Sequence, residues 1–155
     1  MKSTIQFITL ILLLASTGLS NAETREELIQ RLGDPIDWKT DAWEAYQLGI
    51  KRSLPVVLVL VTPLEDGVRL CNRMRSIVLS DDFQPLAGKA VFCLTSPDTD
   101  EGAKQLDEAF DVTGYPITLV LEPDKERLIR RGSVLGCPTD VAELRTHLDP
   151  LLAGN

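Results

Sequence analysis

The stretch Leu54-Pro55-Val56-Val57-Leu58-Val59-Leu60-Val61 constrains this chain more than any other. It is apolar throughout and rich in β-branched valine, with no polar residue at alternate positions. A strand with one wet face alternates, so a run of this kind predicts a strand buried on both faces, in a sheet covered by helices on each side. Ala90 to Leu94 reads as a second buried strand, and Ile117 to Leu121 and Arg127 to Arg131 as two more. The turn Glu122-Pro123-Asp124-Lys125 between the last two is short enough for an antiparallel hairpin.

Helical patterns fill the intervals. Thr24-Arg25-Glu26-Glu27 has the form of a capping box, opening a short helix that Gly33 and Pro35 close. A second helix begins near Asp41 and turns Ala42, Ala45, Tyr46 and Gly49 inward, with Trp38 packing just before it. Thr62 to Gly67 reads as a loop, followed by Leu70, Met74, Ile77 and Val78 at helical spacing and a short segment holding Phe83 and Leu86. Asp98 to Glu101 opens a helix with Ala103, Leu106, Ala109 and Phe110 inside. The last helix is expected from Pro138 to Leu152, with Val141, Leu144, Leu148 and Leu151 facing the core. The order α-α-β-α-β-α-β-β-α predicts an α/β fold, a mixed sheet sandwiched between helices.

The N-terminus predicts export. Lys2 precedes an apolar run from Ile5 to Ala15, broken only by Gln6 and Thr9, and Ser20-Asn21-Ala22 supplies a small-residue cleavage site. This is the pattern of a signal peptide over residues 1–22, leaving residues 23–155 as one domain. The run is shorter than the ~20 apolar residues that cross a bilayer, so no stable membrane insertion is expected after cleavage. The expected location is periplasmic or secreted. The formal charge is −7, and loss of Lys2 makes it −8. Such a chain repels phosphate backbones and anionic lipids, which excludes nucleic acid as an expected partner. The oligomeric state is left open.

Three cysteines remain after cleavage: Cys71, Cys93 and Cys137. Thiols of exported proteins tend to pair, but an odd number leaves at least one free, joined to another chain, or reactive. Cys93, in Val91-Phe92-Cys93-Leu94, reads as a packing residue of a core strand. Cys137 precedes Pro138, a residue suited to the first position of a helix, and so falls on the expected cap. Cys71 lies near a helix N-terminus with Arg69, Arg73 and Arg75 close in sequence, an environment that favours a thiolate. Turned inward, the same cysteine is a small buried hydrophobe, and both readings stay open. His147, the one histidine, falls on the polar side of the last helix. The cysteines form no metal-ligating cluster, and no phosphate-cradling loop or nucleophile elbow is present, so neither metal nor cofactor is predicted.

The element order and several motifs resemble the thioredoxin superfamily, in particular its exported bacterial thioredoxin-related domains, over about Trp38 to Leu152. Trp38, the helix ending Gly49-Ile50-Lys51 and Leu54-Pro55-Val56-Val57 look like the family's approach to its first core strand. Cys71-Asn72-Arg73-Met74, continuing to Val78-Leu79-Ser80-Asp81, resembles the helix that carries the second cysteine of the CxxC site. Phe110-Asp111-Val112-Thr113-Gly114-Tyr115-Pro116 resembles the approach to the family's cis-proline loop, and Glu122-Pro123-Asp124-Lys125 the hairpin turn that follows it.

The resemblance implies a three-layer thioredoxin-like sandwich with helices on both faces of a mixed sheet. It also implies a degenerate site. With Cys71 in the second cysteine position, the first falls on Val68, which cannot act as the exposed nucleophile. The acid that members often bury in the first core strand falls near Val59. Tyr115 and Pro116 take the place of the cis-proline loop, where the family pairs with extended segments, so Tyr115, Pro116 and Val68 are the candidate binding residues. Gly132-Ser133 matches the family's loop beside the active site, which brings Cys137 toward Cys71 and makes a Cys71–Cys137 disulfide the leading pairing. Two functions follow from the resemblance. The first is a protein- or peptide-binding module without dithiol chemistry; the alternative is an atypical thiol–disulfide protein using Cys71 alone or paired with Cys137.

Overall fold

The computed structural model describes residues 35–62 and 68–153, all within the compact unit Leu32–Asn155. The predicted signal peptide, the helix expected from Thr24 to Gly33 and residues 63–67 of the expected loop lie outside the described residues. Among the described residues, four helices and four strands follow in the order α1 (Ala42–Arg52), β1 (Val56–Leu60), α2 (Val68–Val78), β2 (Val91–Thr95), α3 (Glu101–Ala109), β3 (Ile117–Glu122), β4 (Ile129–Leu135) and α4 (Val141–Ala153). A 3-10 turn, Asp81–Leu86, carries the chain from α2 toward β2.

The strands lie in the order β2-β1-β3-β4, with β1 parallel to β2 and antiparallel to β3, and β3 antiparallel to β4. The apolar run therefore occupies an interior strand, and all five residues of β1 are buried. Successive side chains point to opposite faces, and each face has its own core. Val57, Val59 and Val61 join Met74, Ile77, Val78, Phe83, Leu86, Leu144 and Leu148 under α2 and α4. Val56, Leu58 and Leu60 join Ala42, Ala45, Tyr46, Ala103, Leu106 and Leu119 under α1 and α3. The result is a mixed sheet with helices on both faces.

The two tryptophans divide between these cores. Trp38 stacks on Phe83 at 5.7 Å and lies 5.5 Å from Phe92, and its buried indole N–H finds no partner among the described residues. Trp43 packs against the other core, and its indole N–H donates to Gln105 Oε1 at 3.1 Å. Between them, Lys39 forms a single parallel bridge to Cys93, exchanging hydrogen bonds of 2.9 Å with the Phe92 carbonyl and the Leu94 N–H.

Two expected boundaries and one helix face are corrected. β4 spans Ile129–Leu135, not Arg127 to Arg131. The Asp124 carboxylate accepts the Glu126 and Arg127 N–H groups at 2.7 and 2.8 Å, holding the chain in the turn, and the Tyr46 hydroxyl ties that turn to α1. Gly132 and Ser133 are thus strand residues, not the loop beside the site. α4 begins at Val141, not Pro138, because Asp140 caps it by accepting the Glu143 N–H at 2.8 Å. Cys137 is therefore a residue of the β4–α4 loop and not a cap. Ala109 is exposed, and the inner face of α3 is Gly102, Ala103 and Leu106.

Candidate functional site

The C-terminal ends of β1 and β2, the first turn of α2, the approach to β3 and the β4–α4 loop converge on one end of the sheet. Val68 is the first residue of α2 and is half-buried; Cys71 is the fourth and is fully buried. The three-residue step from Val68 to Cys71 is less than one helical turn. Cys71 Sγ accepts the Thr62 N–H at 3.4 Å and lies in the core beneath α2 and α4. A sulfur placed this way is closed to solvent.

Two of the arginines near Cys71 in sequence bond elsewhere. Arg73 Nη2 donates to the Thr139 carbonyl at 2.9 Å, and Arg75 Nη1 to Asn72 Oδ1 at 3.0 Å. Arg73 is two residues from Cys71 and Thr139 two from Cys137, so this bond joins the α2 face to the β4–α4 loop beside both thiols.

Cys137 is half-buried, packs against the core that holds Cys71, and donates to the carbonyl of Pro138 at 3.4 Å. Burial raises its thiol above the ordinary value; the Arg73 guanidinium opposes that rise, while Cys71 and Glu143 add to it. Cys93 is fully buried in the opposite core, and burial pushes its thiol up to about 12, with Asp100, Asp41 and Glu44 adding to the effect. All three cysteines are free thiols in this structure.

The Tyr115–Pro116 peptide bond is cis. Pro116 is buried, and its carbonyl accepts the Gly136 N–H at 2.8 Å. Gly136 has φ +90°, a conformation that glycine adopts without a side-chain clash, so the chain turns sharply after β4 and delivers Cys137 beside this loop. Tyr115 is half-buried and makes no backbone hydrogen bond to the described residues outside helices and strands. Its hydroxyl donates to Asp107 Oδ1 of α3, and burial together with that bond drives the phenol well above its ordinary value. Next to the loop, Leu135 is 61% exposed, and its Cδ1 stands 3.6 Å from where a Gly114 Cβ would lie. Leu70, beside Cys71 on α2, is also exposed.

Two groups at this end were not singled out by the sequence. Thr62 joins the buried thiol to a carboxylate: its N–H points at Cys71, and its hydroxyl donates to Asp98 Oδ2 at 3.3 Å. Ser96 Oγ donates to the same oxygen at 3.1 Å. The sequence did carry a signal, since Ser96-Pro97-Asp98 follows β2 as Thr62 follows β1, and side chains at the ends of parallel neighbours converge. Val59 faces the Cys71 core and pairs with Thr118, whose buried hydroxyl has no partner among the described residues; no carboxylate stands there. His147 is exposed on α4. Among the described residues no group of His, Cys, Asp and Glu is placed to hold a metal ion, and no helix is long and apolar enough to cross a membrane.

No protein-family model matches this chain, and no curated protein matches it. Solved structures do. A thioredoxin from Thermus thermophilus is similar over 76% of this chain and 88% of its own, with 25% identity and a TM-score of 0.61. The DsbH oxidoreductase is similar over 79% of this chain and 88% of its own, at 16% identity and a TM-score of 0.58. The thioredoxin of Trichomonas vaginalis covers 76% and 97% respectively, at 14% identity and a TM-score of 0.52. The chain has the thioredoxin fold, the fold of thiol–disulfide oxidoreductases.

Proposed function

We propose that this chain is an exported thioredoxin-fold module that has lost the CxxC dithiol and binds an extended protein or peptide segment beside its cis-proline loop. The observation that carries the reading is the pairing of Val68 at the start of α2 with Cys71 fully buried three residues on. A valine has no nucleophile to offer, and a sulfur sealed beneath Thr62 is not presented to a substrate disulfide. The binding half rests on the Tyr115 backbone, free to pair with an added strand, and on Leu135 and Leu70 as exposed apolar neighbours. Export rests on the signal-peptide pattern of residues 1–22.

The test combines catalysis with binding. In the insulin-reduction assay with dithiothreitol, the native protein should stay at background and Val68→Cys should gain turnover. Turnover by the native protein at the level of its Val68→Cys variant would overturn the loss of CxxC chemistry. Backbone amide shifts should cluster at Val68, Tyr115 and Leu135 on addition of reduced, carboxymethylated insulin B chain. Shifts that are absent at saturation, or confined to other faces, would overturn the binding reading. Expression of the full chain in a bacterium should yield a product beginning at Glu23, and a product retaining Met1 would overturn export.

A further inference from the structure

Beyond binding, and without depending on it, the geometry points to a second thiol site: we propose that Cys137 and Cys71 together exchange with small disulfides, Cys137 attacking and Cys71 resolving. The attacking thiol comes from the β4–α4 loop, whereas the first turn of α2 offers only Val68.

Three observations carry it. Cys137 and Cys71 pack in the same core, under α2 and α4, whereas Cys93 lies across the sheet in the other. The Arg73–Thr139 hydrogen bond of 2.9 Å joins the residues two positions from each thiol, and the Gly136–Pro116 bond of 2.8 Å fixes the other side of the same loop. Exposure differs in the required sense: Cys137 is half-buried and open to attack on a disulfide, while Cys71 has no exposure and can meet only a sulfur delivered from inside the fold. Among the described residues the Cys137 thiol bonds to its neighbour's carbonyl at 3.4 Å, a weak bond that rotation about Cα–Cβ releases. Burial raises this thiol, and the Arg73 guanidinium opposes that rise without cancelling it, so the attack gains as pH rises.

The exchange balances with glutathione disulfide as oxidant. The Cys137 thiolate attacks one sulfur, forming a Cys137–glutathione bond and releasing one glutathione thiolate. The Cys71 thiolate then attacks Cys137 Sγ, forming the Cys71–Cys137 bond and expelling the second glutathione. Two protein thiols are oxidised, one disulfide is reduced, and the two protons from the protein leave on the two glutathione molecules.

The folded protein, with glutathione disulfide as the probe, gives the test. Intact mass should fall by two hydrogens, and peptide mapping should join the segments holding Cys71 and Cys137. Cys137→Ser should form neither bridge nor adduct. Cys71→Ala, which fills the buried site with a small apolar group, should stall as the Cys137–glutathione adduct, accumulating it about tenfold above the native chain because the resolving step is gone. Cys93→Ala should behave as native. Circular dichroism and a thermal melt establish that each variant is folded, and Cys137→Ser, at a half-exposed loop, remains decisive even should Cys71→Ala unfold. A native protein that neither bridges nor loses two hydrogens over the full range of glutathione ratios would overturn the proposal, as would a bridge that persists in Cys137→Ser.

Discussion

Gly49 illustrates how a single atom sets the fit between α1 and β1. A Cβ at that position would lie 2.4 Å from Val56 Cγ2 and 2.9 Å from the Leu54 carbonyl oxygen, so a backbone atom and a β-branched side chain both block it. Alanine is the better helix former by roughly 1 kcal/mol, but overpacking of this kind costs about 1–3 kcal/mol. Gly49→Ala should therefore lower the urea midpoint, and an unchanged or higher midpoint would refute the close approach. Cys137 carries a second prediction at this scale. Burial, the largest influence, raises its thiol, and a raised thiol value shrinks the thiolate fraction at any pH below it. Its iodoacetamide labelling should thus keep rising beyond the ordinary thiol range of about 8–9. Removing the nearby cation with Arg73→Leu should move the profile higher still. A profile that levels off below that range would contradict the assignment.

The elements show where local sequence rules compete. Pro138 marked a plausible helix start, yet Asp140 won because its carboxylate satisfies the Glu143 N–H at 2.8 Å, while Glu143 reaches back to the Thr139 N–H and hydroxyl at 2.6 Å each. Asp140→Ala should cost about 1 kcal/mol, read in chemical denaturation, and Pro138→Ala much less. β4 was misjudged for a different reason. It is an edge strand whose residues alternate only loosely between half-buried and exposed, so Arg130, Arg131, Gly132 and Ser133 give no apolar pattern to follow. At the register shift opposite Val120 and Leu121, Arg131 pairs with Glu122 and donates to the Leu151 carbonyl at 3.0 Å, tying the hairpin to α4. The Arg131 hydrogen bond holds the Glu122 carboxyl below the ordinary glutamate range. A carboxyl lowered by folding contributes stability above its unfolded value, and that contribution fades as pH falls through the lower folded value. Carbon NMR should show Glu122 titrating below about 4.3 in the native protein and returning toward it in Arg131→Leu. A titration unchanged by that substitution would remove the pair from the account.

At the scale of the whole molecule, the double-sided burial of Val56 to Leu60 was legible because the run carries no polar alternation, and each sheet face accordingly has its own core. The side-chain directions that define the site were not legible. No periodicity tells that Arg73 turns to Thr139, that the Thr62 N–H meets Cys71, or that Thr62 and Ser96 share Asp98, because each depends on loops brought together across the sheet. The two cores also order the accessibility of the thiols. Cys71 and Cys93 lie at zero exposure on opposite faces of one cooperative sheet, whereas Cys137 is reached without crossing either core. Under a thiol reagent in increasing urea, Cys137 should label first, and Cys71 and Cys93 together at the global unfolding transition. Labelling of Cys71 well before Cys93 would show that α2 opens on its own.

The tryptophans turn this layered plan into an optical instrument. Trp38 packs against Phe83 and Phe92 on the side that holds Cys71, while Trp43 reaches Gln105 on the side that holds Cys93. Their emission should therefore separate by colour, the indole with the buried N–H shorter in wavelength and the one bonded to Gln105 longer. Trp43→Phe would leave a lamp on one side of the sheet alone, reporting events around Cys71 without any attached dye.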